Sequence, residues 1–236
     1  EDPAVVAALL GKGRVPPVAV AATTLAIARA GWIDVHEVGA SVVVSFDETP
    51  SERWTASATD VIVLQALAAR RDPTTGDVTG PPVYAPARAW WPAYAADARA
   101  RAIASGLVEP RIPLVGLMVL SIVTATVLAI AIFWYTLAFV GLILLANGIP
   151  HLIVRFGGYR LSVDGTIERA RWLAFGRGLR DRGGLATVGP GGVPMWGPYL
   201  VYGVLFGGAP RAAAALTPDG VKGGAELPAG VVVLRD

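Results

Sequence analysis

Polar and apolar positions are interspersed along this chain up to Arg111; charge then disappears from Ile112 to Val154 and returns at Arg155. The charge-free run is 43 residues long and crowded with Leu, Ile, Val and Phe. A hydrocarbon layer about 30 Å thick is crossed by roughly 20 helical residues, so the run is too long for one crossing and fits two. The pattern predicts spans at Leu114–Phe133 and Thr136–Val154, with Phe133-Trp134-Tyr135-Thr136 as the turn. Twelve residues of the first span and eleven of the second are Leu, Ile, Val or Phe. At about −0.3 to −0.6 kcal/mol each near a helix centre, either set favours insertion. Asn147 and His151 are the polar candidates inside the membrane. Both sit toward one end of the second span, where such groups cost less, and an ionisable group in a span is a functional candidate.

Before the run, the pattern is short helices broken by Gly and Pro. Pro3 followed by Ala4–Leu10 predicts a helix ended by Gly11-Lys12-Gly13. Pro16–Pro17 opens another, Val18–Ala30, whose alanines permit close packing and which Gly31 stops. Trp32-Ile33-Asp34-Val35-His36 and Ser41–Phe46 alternate as strands of a small hairpin. Two helices followed by a hairpin is the order of a winged-helix unit, assigned to residues 1–54. Residues 55–112 repeat the plan. Ser57 and Asp60 have the spacing of a capping box. The helix they start ends in Arg70–Arg71, and a second helix, about Ala85–Ser105, stops at Gly106. Ala28–Asp34 and Ile103–Glu109 match in outline: a helix end, Gly, two apolar residues, an acid.

The expected membrane hairpin covers residues 113–154, and residues 155–236 form a C-terminal cytosolic or interfacial region. There Tyr159–Val163 reads as a short strand or interfacial segment. Thr166–Arg182 reads as a helix with Ile167, Trp172, Leu173, Phe175 and Leu179 mostly on one side and arginines elsewhere. Such a helix suits a membrane surface or an ordinary cytosolic face equally well. Tyr199–Phe206 is strongly apolar but too short to cross, which leaves a helix packed on its neighbours or dipping into the interface. The tail after Thr217 reads as loop.

Charge sets the orientation. Arg111 precedes the first span and Arg155, Arg160, Arg169 and Arg171 follow the second, while the turn is uncharged. Lys and Arg accumulate on the cytoplasmic side, so both flanks are expected inside, with Trp134 and Tyr135 in the outer headgroup layer. Residues 1–112 carry net −2 and residues 155–236 net +4. The positive part thus follows the hairpin, where anionic lipids attract it. The apolar fraction of 54% fits partial membrane burial. With no cysteine and two isolated histidines, His36 and His151, neither a disulfide scaffold nor a zinc site is expected, and His36 reads as a surface residue. Gly11-Lys12-Gly13-Arg14, Gly176-Arg177-Gly178 and Asp219–Gly223 lack phosphate-loop spacing, and no Gly-x-Ser-x-Gly elbow occurs. No catalytic residue, cofactor or metal is expected.

Ala22-Thr23-Thr24-Leu25-Ala26-Ile27-Ala28-Arg29-Ala30-Gly31-Trp32-Ile33, the paired spans, Asp164-Gly165 with Trp172 and Phe175, and Pro198-Tyr199-Leu200-Val201-Tyr202-Gly203-Val204 together resemble the YciQ-like family of bacterial membrane proteins. The resemblance implies a winged-helix-like cytosolic part, a membrane hairpin and a cytosolic helical part, in a mainly α inner-membrane protein. Family members begin with an exported β-rich domain and an extra span, so the resemblance makes this chain a C-terminal portion. It implies no activity. The functional expectation is a non-catalytic scaffold or accessory subunit in the bilayer, binding other proteins through its cytosolic helices. The alternative is a membrane-tethered winged-helix regulator with Thr23, Thr24 and Arg29 on DNA. DNA binding rests on neutralising phosphates, and the net charge of −2 ranks it second.

Overall fold

The local rules written into the chain set most of its helix ends. The computed structural model describes residues 2–39, 41–46, 55–80, 83–84, 86–110, 121–126, 158–181 and 183–218. Asp2 caps α1 (Pro3–Leu10) by accepting the Ala4 amide at 2.8 Å, with Pro3 in the first turn. The helix α2 (Val18–Arg29) ends at Gly31, whose φ is +81°. There the Gly31 amide donates to Ala28 O and the Trp32 amide to Ile27 O, which is a Schellman closure. The same closure ends α4 (Ala87–Ala104), from Gly106 to Ile103 O and from Leu107 to Ala102 O, with φ +70° at Gly106. The echo between Ala28–Asp34 and Ile103–Glu109 is therefore one turn used twice, each time delivering the chain into a strand. Between them α3 (Ala58–Ala68) starts with the Ser57–Asp60 capping box.

Strands β1 (Ile33–Val38) and β2 (Ser41–Phe46) form the expected antiparallel hairpin, with Ile33 opposite Phe46 and Val38 opposite Ser41. A third strand, β3 (Val78–Thr79), pairs with β2 through Val44 and Val78. It was not legible in the sequence, because two residues carry no periodicity. A second sheet has two strands, β4 (Val108–Pro110) and β5 (Tyr159–Leu161).

The chain then forms α5 (Val163–Asp181), a 3₁₀ turn at Pro190–Gly192, α6 (Val193–Trp196), α7 (Pro198–Leu205) and α8 (Pro210–Leu216). Helix α8 was not anticipated. At the centre lies α2, buried at every position from Ala19 to Leu25 and packed on α1, α3, α7 and α8. A helix that is apolar on all sides belongs inside. Its alanines let α7 approach closely, and α7 contributes Leu200, Val201, Val204 and Leu205 to the same core. Packing on its neighbours is thus the observed fate of Tyr199–Phe206. The core is continuous from α1 to α8, and the first sheet draws β3 from beyond residue 54.

Helix α5 begins at Val163, three residues earlier than the periodicity predicts. Its Trp172 ring lies 4.8 Å from Tyr202 and 6.3 Å from Phe206, while Leu179 is buried. The Trp172–Leu179 part of the side expected to choose between lipid and cytosol is spent on α7, whereas Ile167, expected on that same side, lies on the opposite one and is 50% exposed.

Among the described residues no single helix is long and apolar enough to cross a membrane. Helices α7 and α8 reach that apolar length only together, and they are bent by 80°. The expectations for Arg111, Trp134, Tyr135, Asn147, His151 and Arg155 fall outside the described residues.

Candidate functional site at the neck of the apolar run

Strand β4 ends at Pro110, just before the apolar run, and β5 starts at Tyr159, just after it. These two ends are hydrogen-bonded partners. Strand β4 pairs antiparallel with β5, placing Val108 opposite Leu161, Glu109 opposite Arg160 and Pro110 opposite Tyr159. Gly106, at the Schellman turn, leads the chain from α4 into β4. Three-residue strands are weak by themselves, and side chains reinforce this pair. The Arg160 guanidinium lies 3.1 Å from the Glu109 carboxylate, an exposed cross-strand ion pair of modest worth.

Tyr159 is the better anchor. Its ring packs against Gly13, where a Cβ would come within 2.6 Å of the tyrosine. Arg99 covers the ring at 5.1 Å from its centroid and donates from Nε to Gly13 O at 3.0 Å. One guanidinium thus ties α4, the loop after α1, and β5. Cation–π contacts of this kind contribute about 0.5–1 kcal/mol where exposed and more when desolvated.

Ser162 fixes the departure of α5. Its Oγ accepts the Gly165 amide at 2.9 Å and donates to Leu107 O at 3.3 Å, and its own amide also reaches Leu107 O. Gly165 is required by packing: a Cβ there would lie 1.9 Å from Leu107 O. Farther along, Arg169 donates from Nε to Leu10 O at the end of α1. Of the arginines expected to flank the membrane, Arg160 sits in the neck.

A polar layer lies behind the neck. Arg101 on α4 pairs with Asp97 at 2.9 Å, with the α1 cap Asp2, and donates to Thr59 Oγ1 on α3. Burial raises the Asp60 carboxyl above the usual aspartate range, and the hydrogen bonds from Ser57 oppose that shift. Deeper, Thr23 Oγ1 shares a 2.7 Å hydrogen bond with Tyr94 OH, and Thr24 Oγ1 shares one of the same length with Tyr84 OH. All four residues are buried, and desolvation pushes both phenols far above the ordinary tyrosine range. Trp90 lies beside both tyrosines, 5.7 Å from Tyr84 and 6.3 Å from Tyr94.

This corrects the placement of Thr23 and Thr24 on a DNA-reading face. They point into the core, where neutral hydroxyls with partners are tolerated. Arg29, at the end of α2, is exposed and is not brought together with them. His36 is partly exposed in β1, with Nδ1 3.5 Å from the Asp34 carboxylate. Among the described residues no group of three His, Cys, Asp or Glu is arranged to hold a metal.

Sequence reasoning missed Tyr159, Gly13, Arg99, Arg101, Tyr84 and Tyr94. Tyr84 and Tyr94 lie 60 and 71 residues from their hydroxyl partners. The only available signal was two adjacent threonines inside an otherwise apolar helix.

A family model described as "Predicted membrane protein (DUF2207) C-terminal domain" matches residues 2–216. No curated protein and no solved structure matches the chain.

Proposed function

The chain belongs to this family of predicted membrane proteins, as its C-terminal domain, and on that premise we propose a non-catalytic membrane scaffold. In this reading residues 113–154 double back through the bilayer as two helices, and both flanking parts lie on the cytoplasmic side of the bacterial inner membrane. The helical units there, the first of winged-helix-like order, bind another protein or subunit.

The observation that carries this reading is the β4–β5 pair. The chain leaves at Pro110 and returns opposite it at Tyr159, which supports an even number of crossings by the segment between them. Two crossings are what 43 charge-free residues permit. The positive flanks support the cytoplasmic assignment. The scaffold role is supported by the single helical core that the parts before and after the run share.

The chain has no cysteine, so single cysteines are clean topology probes. Trp134→Cys in intact cells should react with an impermeant maleimide added outside. Thr74→Cys and Arg177→Cys should react only after the membrane is opened. Reaction of Thr74→Cys and Arg177→Cys from opposite sides would end the hairpin reading. For the scaffold role, crosslinking in cells followed by mild-detergent isolation should recover a stoichiometric protein partner. Recovery of the chain alone would count against it.

A further inference from the structure

The outward side of α5 carries an apolar stripe that runs from Val163 to Gly178 and ends at the exposed Asp181. With 3.6 residues per turn, successive residues are about 100° apart. Val163, Ile167, Ala170, Ala174 and Gly178 then share an arc of about 80°, and every one of them is exposed. Val163 is 79% exposed and Ile167 50%. Arg171 and Arg177 border this stripe on either side, both exposed, with Arg171 3.2 Å from the Glu168 carboxylate in a surface i,i+3 pair that phosphate can exchange for. The opposite side is occupied: Gly165, Gly176 and Leu179 are buried, and Arg169 is tied to Leu10 O.

Position identifies what covers the stripe. Pro110 is two residues from Ile112, where the charge-free run starts, so the neck lies within about 7 Å of it along the chain. Val163 is four residues beyond Tyr159, the partner of Pro110, hence no more than about 14 Å farther. Exposed branched apolar side chains flanked by guanidinium groups, at that distance from a membrane segment, match an interfacial helix. Such a helix buries one face about 5–10 Å into the headgroup and acyl boundary, with its basic residues on anionic lipids.

Resting on the membrane reading above, we propose that the outer face of α5 is a second membrane contact. Val163 and Ile167 enter the boundary, and Arg171 and Arg177 meet anionic phosphates. The contact holds the body against the leaflet and fixes its tilt on the two-stranded neck. The side in contact is the reverse of the Trp172–Leu179 side, which the core already uses.

The test uses the full chain in phosphatidylcholine–phosphatidylglycerol vesicles. Val163→Cys, Ile167→Cys and Val38→Cys (the last an exposed apolar position on β1) are each labelled with an environment-sensitive fluorophore. Quenching by lipids carrying a shallow spin label is compared with quenching by aqueous iodide. Positions 163 and 167 should be quenched severalfold more by lipid, and less by iodide, than position 38. Adding Arg171→Glu with Arg177→Glu should erase that difference. Iodide access at 163 and 167 equal to that at 38, in chain that resists carbonate extraction, overturns this contact and leaves the membrane reading standing. Ready disulfide formation between copies at position 167 overturns it in favour of a homomeric interface. Release of the whole chain by carbonate overturns the membrane reading, and this contact with it.

Discussion

The Thr23–Tyr94 and Thr24–Tyr84 pairs show how single hydroxyls settle the interior. Each buried group satisfies the other, and removing one strands its partner at a cost of about 1–3 kcal/mol. Tyr94→Phe should therefore lower unfolding stability by that amount. The double variant with Thr23→Val should lose less than the two single variants combined, as read from a denaturation cycle in detergent. The same pairs set an alkaline limit. Both phenols have native pKa values raised above that of an unfolded tyrosine, near 10, so the native state holds protons that the unfolded state releases. Their contribution is fully present below about pH 10 and is lost as pH rises toward the native values. Stability should fall above that pH at up to about 1.4 kcal/mol per pH unit for each tyrosine, and Tyr94→Phe should flatten the slope. Lys12 offers an opposite case. It closes α1 in the left-handed region, at φ +53°, where a side chain costs about 1 kcal/mol. Lys12→Gly should raise the melting temperature slightly.

At the scale of elements, the neck depends on one glycine more than on its ion pair. Gly13→Ala would drive a methyl into the Tyr159 ring and add a side chain where φ is +84°. It should destabilise the docking of β5 by more than 1 kcal/mol. Hydrogen exchange should show β4 and β5 amides losing protection while α2 keeps its own. Glu109→Gln should change little, because the Arg160 pair is exposed. The helix stops were readable in advance: Gly31, Gly106 and the Ser57–Asp60 box are local devices, and each sits where its residues put it. The β4–β5 pair was not. Tyr159–Val163 was recognisable as a short extended piece, but its partner lies about 50 residues away across the apolar run.

Across the whole molecule, parts on either side of the charge-free run share one core, in which α2 lies against α7. Leu200→Ala should cost about 2–5 kcal/mol, as buried leucine truncations do. Because the core is continuous, α2 and α7 should lose protection together. Independent melting of the portions before and after the run would contradict that. The sequence by itself determined what is encoded within a few residues: the charge-free run, the helix stops and caps, the β1–β2 hairpin and the asymmetric charge. Tertiary structure alone decided which surfaces meet. It turned Thr23 and Thr24 inward, spent the aromatic side of α5 on α7, added β3 to the sheet and closed the neck at Tyr159. Caps and periodicities are satisfied by neighbours along the chain, whereas these pairings join residues tens to more than a hundred positions apart, beyond the reach of any local pattern.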